Sequence, residues 1–320
     1  MLPSVLPTET DHVPVLAEEV LAALDPGPGD TVVDCTFGAG GHAALLASRL
    51  RGDGKLIAID RDPTVAPYFE RLRRSTGVKA RLLNGEFSLV LRGLADNGVQ
   101  ADAILMDLGV SSMQLDRPER GFSYAADAPL DMRMDPLAEL SAREVVNETS
   151  ERELADILRR YGEERYARQI ARAIVRRRGT QPFERTGDLV EAVKAAIPAP
   201  ARFGEGHPAK RVFQALRIEV NDELGALERA LPAALEMLRP GRRLAVISFH
   251  SLEDRIVKRF LRREEHGCTC PPDFPVCACG AQPSLRAVPR RAIRPSPAEI
   301  ARNPRSQSAR LRVAVKARGG

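Results

Sequence analysis

The feature that most constrains this chain is a rhythm. Short apolar runs at 30–35 (DTVVDC), 55–60 (KLIAID), 78–83 and 101–107 (ADAILMD) alternate with stretches of helical character such as 42–50 and 64–74. Buried strands alternating with helices predict a parallel sheet with helices on both faces. The rhythm then breaks. The next buried run, 242–249 (RRLAVISF), lies more than a hundred residues beyond Asp107. A strand–helix–strand crossover needs only about 30 residues, so the surplus, on the order of a hundred, is room for an inserted domain. The predicted organisation is a core at 1–113 and 217–320 around an insert at 114–216. A helix over 222–238, closed by Arg239-Pro240-Gly241, makes the crossover.

The insert reads as mostly helical. Periodicity predicts helices at 150–160 and 163–178, the second with Tyr166, Ile170, Ala173 and Ile174 on one face and Arg165, Arg168, Arg172 and Arg176 on the other. After the fifth strand a helix is expected over 252–263, with Ser251 as its N-cap and Glu253 and Asp254 in structural roles. The Arg- and Pro-rich stretch 283–305 is mostly loop with one strand near 285–293, and 308–316 alternates as a final edge strand. A net charge of +5 fits either a solvated arginine surface or a polyanionic partner. With no Trp and only four Tyr, a broad base-stacking platform for single strands is not expected. No apolar run approaches the ~18 residues of a membrane span. The N-terminus, with Glu9 and Asp11, does not read as a signal peptide, so the expected compartment is the cytoplasm.

Gly38-Ala39-Gly40-Gly41 follows a strand and opens a helix, and glycines there let a ligand approach the backbone. A plain tight turn would look the same. Two acids sharpen the reading. Asp34 ends the first strand just before the loop, and Asp60 ends the second, 20 residues after Gly40, where a carboxylate can accept both ribose hydroxyls. NAD and S-adenosylmethionine both fit Asp60. Asp34 favours the second, because a pyrophosphate wants the helix N-terminus free of acids whereas a sulfonium and an amino group suit one. Phe87 is either an adenine contact or a core residue. Asp107 ends the fourth strand; beside the cofactor loop it reads as functional rather than as a turn cap. A carboxylate there, accepting an N–H bond from an exocyclic base amine, would localise the lone pair for in-line methyl transfer without a metal. His250 is a substrate contact or a structural group. Cys268, Cys270, Cys277 and Cys279 are either free thiols or a structural zinc knuckle, and Cys35 is a small core residue.

Many segments together resemble one family. They include His12-Val13-Pro14-Val15-Leu16, Asp34-Cys35-Thr36-Phe37-Gly38-Ala39-Gly40-Gly41-His42, Ala58-Ile59-Asp60-Arg61-Asp62-Pro63 and Asp107-Leu108-Gly109-Val110-Ser111-Ser112. Gln114-Leu115-Asp116, Leu130-Asp131-Met132-Arg133-Met134-Asp135-Pro136, Tyr161-Gly162-Glu163-Glu164-Arg165, His207-Pro208-Ala209, Phe213-Gln214-Ala215-Leu216-Arg217-Ile218 and Asn303-Pro304-Arg305-Ser306 follow in order. This set resembles the 16S rRNA (cytosine(1402)-N(4))-methyltransferase family, also called RsmH or MraW, over nearly the whole chain. The resemblance implies a Rossmann-like class I methyltransferase sheet with an inserted, mostly helical domain that helps recognise RNA. It implies S-adenosylmethionine as cofactor, held by Gly40, Gly41, His42, Asp60, Phe87, Asp107 and Gln114, and 16S rRNA of the small ribosomal subunit as substrate, with Asp107 catalytic. The segment Asp107-Leu108-Gly109-Val110 lacks the Pro and aromatic residues of many amino-methyltransferases of DNA, and the motif does not say which group takes the amine proton. Oligomeric state is left open by the sequence, a homodimer included.

Overall fold

The structure is a computed structural model, and it describes residues 14–202, 207–267, 270 and 279–318. The chain divides into two compact units, Met1–Gly109 with Ala226–Gly320, and Val110–Gly225.

The first unit is built on a seven-stranded sheet. Its strands are β1 (Thr31–Asp34), β2 (Lys55–Asp60), β3 (Lys79–Asn84), β4 (Ala101–Asp107), β5 (Leu238–Ser248), β6 (Leu285–Ala287) and β7 (Arg310–Lys316). Their spatial order is β3-β2-β1-β4-β5-β7-β6. The first five are parallel and β7 runs antiparallel to both neighbours. Four helices accompany the first four strands: α1 (Ala17–Leu24), α2 (Gly41–Leu50), α3 (Ala66–Thr76) and α4 (Phe87–Asp96). Right-handed crossovers running outward from β1 to β3 place α2 and α3 on one face, and the return to β4 and β5 places its helices on the other. Side-chain pairs agree: Arg92 of α4 meets Glu236, and Arg229 meets Ser88, so α4 shares a face with α12 (Glu223–Met237). Val32, Val33, Leu56, Ile59, Ile104, Leu105, Met106 and Ile247 are essentially inaccessible, as strands covered on both faces require. The strand order reverses between β1 and β4, and in such a sheet the crevice beyond those strand ends is where ligands bind. This is a Rossmann-like α/β sheet.

The second unit is helical: α5 (Ser112–Leu115), α6 (Ala142–Glu148), α7 (Glu151–Gly162), α8 (Ala167–Arg178), α9 (Thr186–Ala196), α10 (Ala199–Arg202) and α11 (Lys210–Asn221). It has its own core, in which Leu154, Leu158, Ile170, Ile174, Phe183, Val193, Val212 and Leu216 are buried. Back in the first unit, α13 (Ser251–His266) and α14 (Pro297–Arg302) complete the helices.

Several details differ from the sequence reading, among them the strand expected near 285–293, which is confined to Leu285–Ala287, and the insert expected at 114–216, where the compact unit is Val110–Gly225. The helix expected over 163–178 begins at Ala167, because Glu163 turns left-handed (φ 49°) and ends α7. The run Arg239-Pro240-Gly241 belongs to β5, where the pairing with β4 slips between Ala101 and Ala103; a bulge is where a strand tolerates proline. The strand over 308–316 is not an edge, since β6 covers it. His250, not Ser251, caps α13: its Nδ1 accepts the Glu253 N–H while Glu253 Oε2 accepts the N–H groups of Phe249 and His250. Among the described residues, no helix is long and apolar enough to cross a membrane. Cys268 and Cys277 of the cysteine cluster lie outside the described residues.

Candidate active site

The site grows out of the ends of β1, β2 and β4. The pairing of Asp34 with Leu105 puts Asp107 two residues farther along the neighbouring strand, and hence on the same side of the sheet. Thr36 ties the two together. Its N–H donates to Asp34 Oδ1 at 3.1 Å, and its Oγ1 accepts the Asp107 N–H at 2.7 Å. The loop then folds back on β2: the Phe37 N–H donates to the Ile59 carbonyl (2.9 Å), and the Gly38 N–H to Asp60 Oδ2 (2.7 Å). Gly40 sits at φ 82°, where a Cβ would lie 2.7 Å from the Phe37 ring, so both conformation and space demand glycine.

Asp60 accepts from Gly38 on one oxygen and from the Asp62 N–H (2.9 Å) on the other. These bonds fix the carboxylate and leave each oxygen a further lone pair for a hydroxyl donor. Burial nevertheless pushes its pKa up to about 6, with the Asp62 and Gly38 donors opposing. The Asp60 carbonyl is held by the Gly85 N–H and by Asn84 Nδ2, which places Phe87, the first residue of α4, next along the chain. Phe87 is half-buried, outside the hydrophobic core of its unit. His42, in the first turn of α2, is buried; burial lowers its pKa to about 4, the Val15 backbone opposing, so the ring is neutral at pH 7. Its Nε2 lies 3.6 Å from Asp107 Oδ2.

The electrostatics single out two acids. Asp34 is 1% exposed, and burial, more than its neighbour Asp60, raises its pKa to about 7 against the Thr36 hydrogen bonds. Asp107 rises to about 8, first through burial and then through the charges of Asp34 and Glu253. Asp34 Oδ2 and Asp107 Oδ1 are buried without a hydrogen-bond partner among the described residues. Two such oxygens beside a glycine loop are mutually repulsive on their own and are satisfied together by a cation with N–H or hydroxyl donors. A phosphate would add to the repulsion.

Gly40, Gly41, His42, Asp60, Phe87 and Asp107 thus all belong to the first unit. Gln114 belongs to the second; it is buried in α5, where its side chain and that of Ser111 form a reciprocal capping box. Sequence reasoning missed two participants. Thr36 was one letter of a motif, and its bridging role needs β1 and β4 to be neighbours. Glu253 is structural, as its place at the start of α13 suggests; it is 2% exposed, and its charge also acts on Asp107.

The sequence profile of the MraW methylase family matches residues 9–317. Among curated relatives, a ribosomal RNA small subunit methyltransferase H of Heliobacterium modesticaldum is 54% identical over 309 residues, covering 96% of this chain and 99% of its own. Its namesake in Symbiobacterium thermophilum is 53% identical over 310 residues, covering 97% and 98%. A third, from Geobacter sulfurreducens, is 51% identical over 306 residues, covering 95% and 98%. Similarity of that extent, over a Rossmann-like sheet whose switch point carries two acids with one buried oxygen each lacking a partner among the described residues, makes the chain a methyltransferase and a member of the MraW methylase family.

Proposed function

We propose that this enzyme methylates the exocyclic amine (N4) of a cytidine in the decoding centre of 16S rRNA, position 1402, using S-adenosylmethionine. The relatives named for the small-subunit ribosomal RNA support the substrate. The observation that carries the cofactor is the pair of carboxylate oxygens, at Asp34 and Asp107, that are without a partner among the described residues. A donor with a sulfonium and an ammonium meets both, where a dinucleotide's pyrophosphate meets neither. Asp60 would take the ribose hydroxyls, Phe87 the adenine face, and Gly40, Gly41, His42 and Gln114 the rest of the cofactor surface.

Bound there, the cofactor supplies an electrophilic methyl group. The protein's part is to hold the amine in line, at roughly 3–3.5 Å, and to take its proton. Asp107 suits that task once a cation is beside it. At a pKa of about 8 it is largely protonated at pH 7. An adjacent positive charge shifts it toward the carboxylate, which can then accept an amine N–H. The base is therefore competent only in the loaded enzyme. His42, neutral by burial, lies 3.6 Å from Asp107. The target base must leave its stack, at a cost of a few kcal/mol. In the inserted unit, α8 exposes Arg168, Arg172 and Arg176 opposite buried Ile170 and Ile174, and these serve the RNA backbone.

The test is tritium transfer from labelled S-adenosylmethionine to purified small subunits lacking the modification, with nucleoside analysis. Wild type is expected to place label in N(4)-methylcytidine. Asp107→Ala is expected to lose about 10²–10⁴-fold in kcat, the range of a general base. Cofactor binding without label on subunits or naked rRNA would refute the rRNA reading.

A further inference from the structure

The chain's 48 Lys and Arg against 43 Asp and Glu leave +5. Residues 286–305 hold six arginines (Arg286, Arg290, Arg291, Arg294, Arg302, Arg305) and one acid, Glu299, which also leave +5. The rest of the chain balances. The inserted unit, Val110–Gly225, has 19 basic and 20 acidic residues despite the arginines of α8. The segment's charge equals the whole chain's excess; the other dense cationic stretch, 165–178 with six arginines and no acid, is offset within the inserted unit.

That segment is pinned rather than loose. β6 pairs with β7, the Val288 N–H donates to the Val313 carbonyl, and Ile293 and Leu311 exchange both backbone hydrogen bonds at 2.9 Å. Pro295 is buried. Arg286, Arg290, Arg291 and Arg294 project from this frame and are exposed, as is Arg302 on α14. None of these five forms an ion pair or side-chain hydrogen bond among the described residues. Some exposed arginines elsewhere are paired, Arg92 with Asp96 and Glu236, Arg185 with Asp127 and Arg259 with Glu228, whereas among the described residues Arg168 and Arg176 of α8 are not. Glu299, the segment's one acid, accepts the Leu16 N–H. A cluster of like charges held on a rigid frame is repulsive until a polyanion meets it.

The geometry points to a phosphate-binding strip: Arg286, Arg290, Arg291, Arg294 and Arg302 grip the RNA backbone from the catalytic unit, and supply most of its electrostatic affinity. This rests on the rRNA reading for its ligand. The competing role is protective, since Arg and Pro on an edge strand discourage edge-to-edge association. One or two charges would suffice for that, and Arg290, Arg291 and Arg294 lie beyond the three residues of β6 that form the edge.

The experiment uses the full-length protein and measures binding to unmodified small subunits against salt, together with steady-state methyl transfer. The variants are R290Q/R291Q/R294Q and the charge-keeping R290K/R291K/R294K. Each phosphate contact contributes about 0.7–0.9 to the slope of log K against log salt, so the Gln variant should flatten the slope by about 2–3. Its KM for subunits should rise at least roughly tenfold, with kcat and cofactor affinity unchanged. The Lys variant should keep the wild-type slope. An unchanged slope and KM, with or without new self-association, overturns the proposal. If wild type binds subunits but transfers no methyl, the rRNA reading fails, and the slope comparison on the same RNA still decides this one.

Discussion

Asp34 and Asp107 stand on the same side of adjacent strands with one oxygen each lacking a partner among the described residues, and both are pushed above the ordinary carboxylate value of 3.8, mainly by burial. A cation arriving between them lowers both pKa values, so protons leave as it binds. Calorimetry of S-adenosylmethionine binding at pH 7.5, in buffers of different ionisation enthalpy, should show net proton release. S-adenosylhomocysteine, which lacks the sulfonium charge, should release fewer; identical enthalpies in every buffer would remove the acids from the cofactor site. The same shifts act on stability. Native pKa values above the unfolded value mean that the native state holds more protons than the unfolded one between about pH 4 and 8, so the cofactor-free protein loses stability as pH rises through that window. Asp34→Asn keeps an oxygen for the Thr36 N–H and removes the buried charge. At pH 8 it should be more stable than wild type by on the order of 2–4 kcal/mol, because the native carboxyl titrates at about 7 and not at 3.8, and the difference should vanish near pH 4. It should also bind the cofactor more weakly. Denaturant melts at pH 5 and 8 test this, and equal stability at both would mean that the carboxylate carries no such cost.

Elements were legible where local pattern decides them. β2 and β4 fall on KLIAID and ADAILMD because apolar runs of that length, ending in an acid or turn, have little else to become. What periodicity could not give was set by single side chains reaching across the chain. Asn221, at the end of α11, shows the type. It is buried; Oδ1 accepts the Met134 N–H at 2.8 Å, and Nδ2 donates to the carbonyls of Met132 (2.8 Å) and Arg217 (2.9 Å). It thus fastens the segment around Met132, a residue at φ 62°, to a helix nearly ninety positions away. No local signal announces that. Asn221→Ala leaves a buried N–H and a buried carbonyl short of partners, which costs about 1–3 kcal/mol each. Thermal unfolding should show a loss of that order, and Asn221→Asp should not rescue it, because a carboxylate cannot donate to Met132. A melting temperature unchanged by Asn221→Ala would mean that packing, not the amide, holds the segment.

The site was legible for the reason that makes a switch point useful. Its residues come from strand ends, and strand ends are visible as apolar runs stopping at Asp34, Asp60 and Asp107. Thr36 and Glu253 escaped because their roles depend on β1, β4 and β5 being neighbours, which chain order hides when a whole helical unit stands between β4 and β5. That interruption has a thermodynamic consequence. Each unit buries its own core, the sheet in one and the cluster around Leu158, Ile170 and Phe183 in the other. A ligand stabilises only what must be folded to bind it, by about 2.7 kcal/mol at a hundred times its Kd. Hydrogen exchange with saturating S-adenosylmethionine should therefore slow by up to about a hundredfold in β1, β4 and the loop 36–41, and stay unchanged in α7, α8 and α9. The amides of α5 report separately on Gln114: if it contacts the cofactor, residues 112–115 gain protection with the sheet while the rest of the insert does not. Equal protection throughout both units would show that they unfold as one, and protection of the sheet without α5 would strike Gln114 from the site.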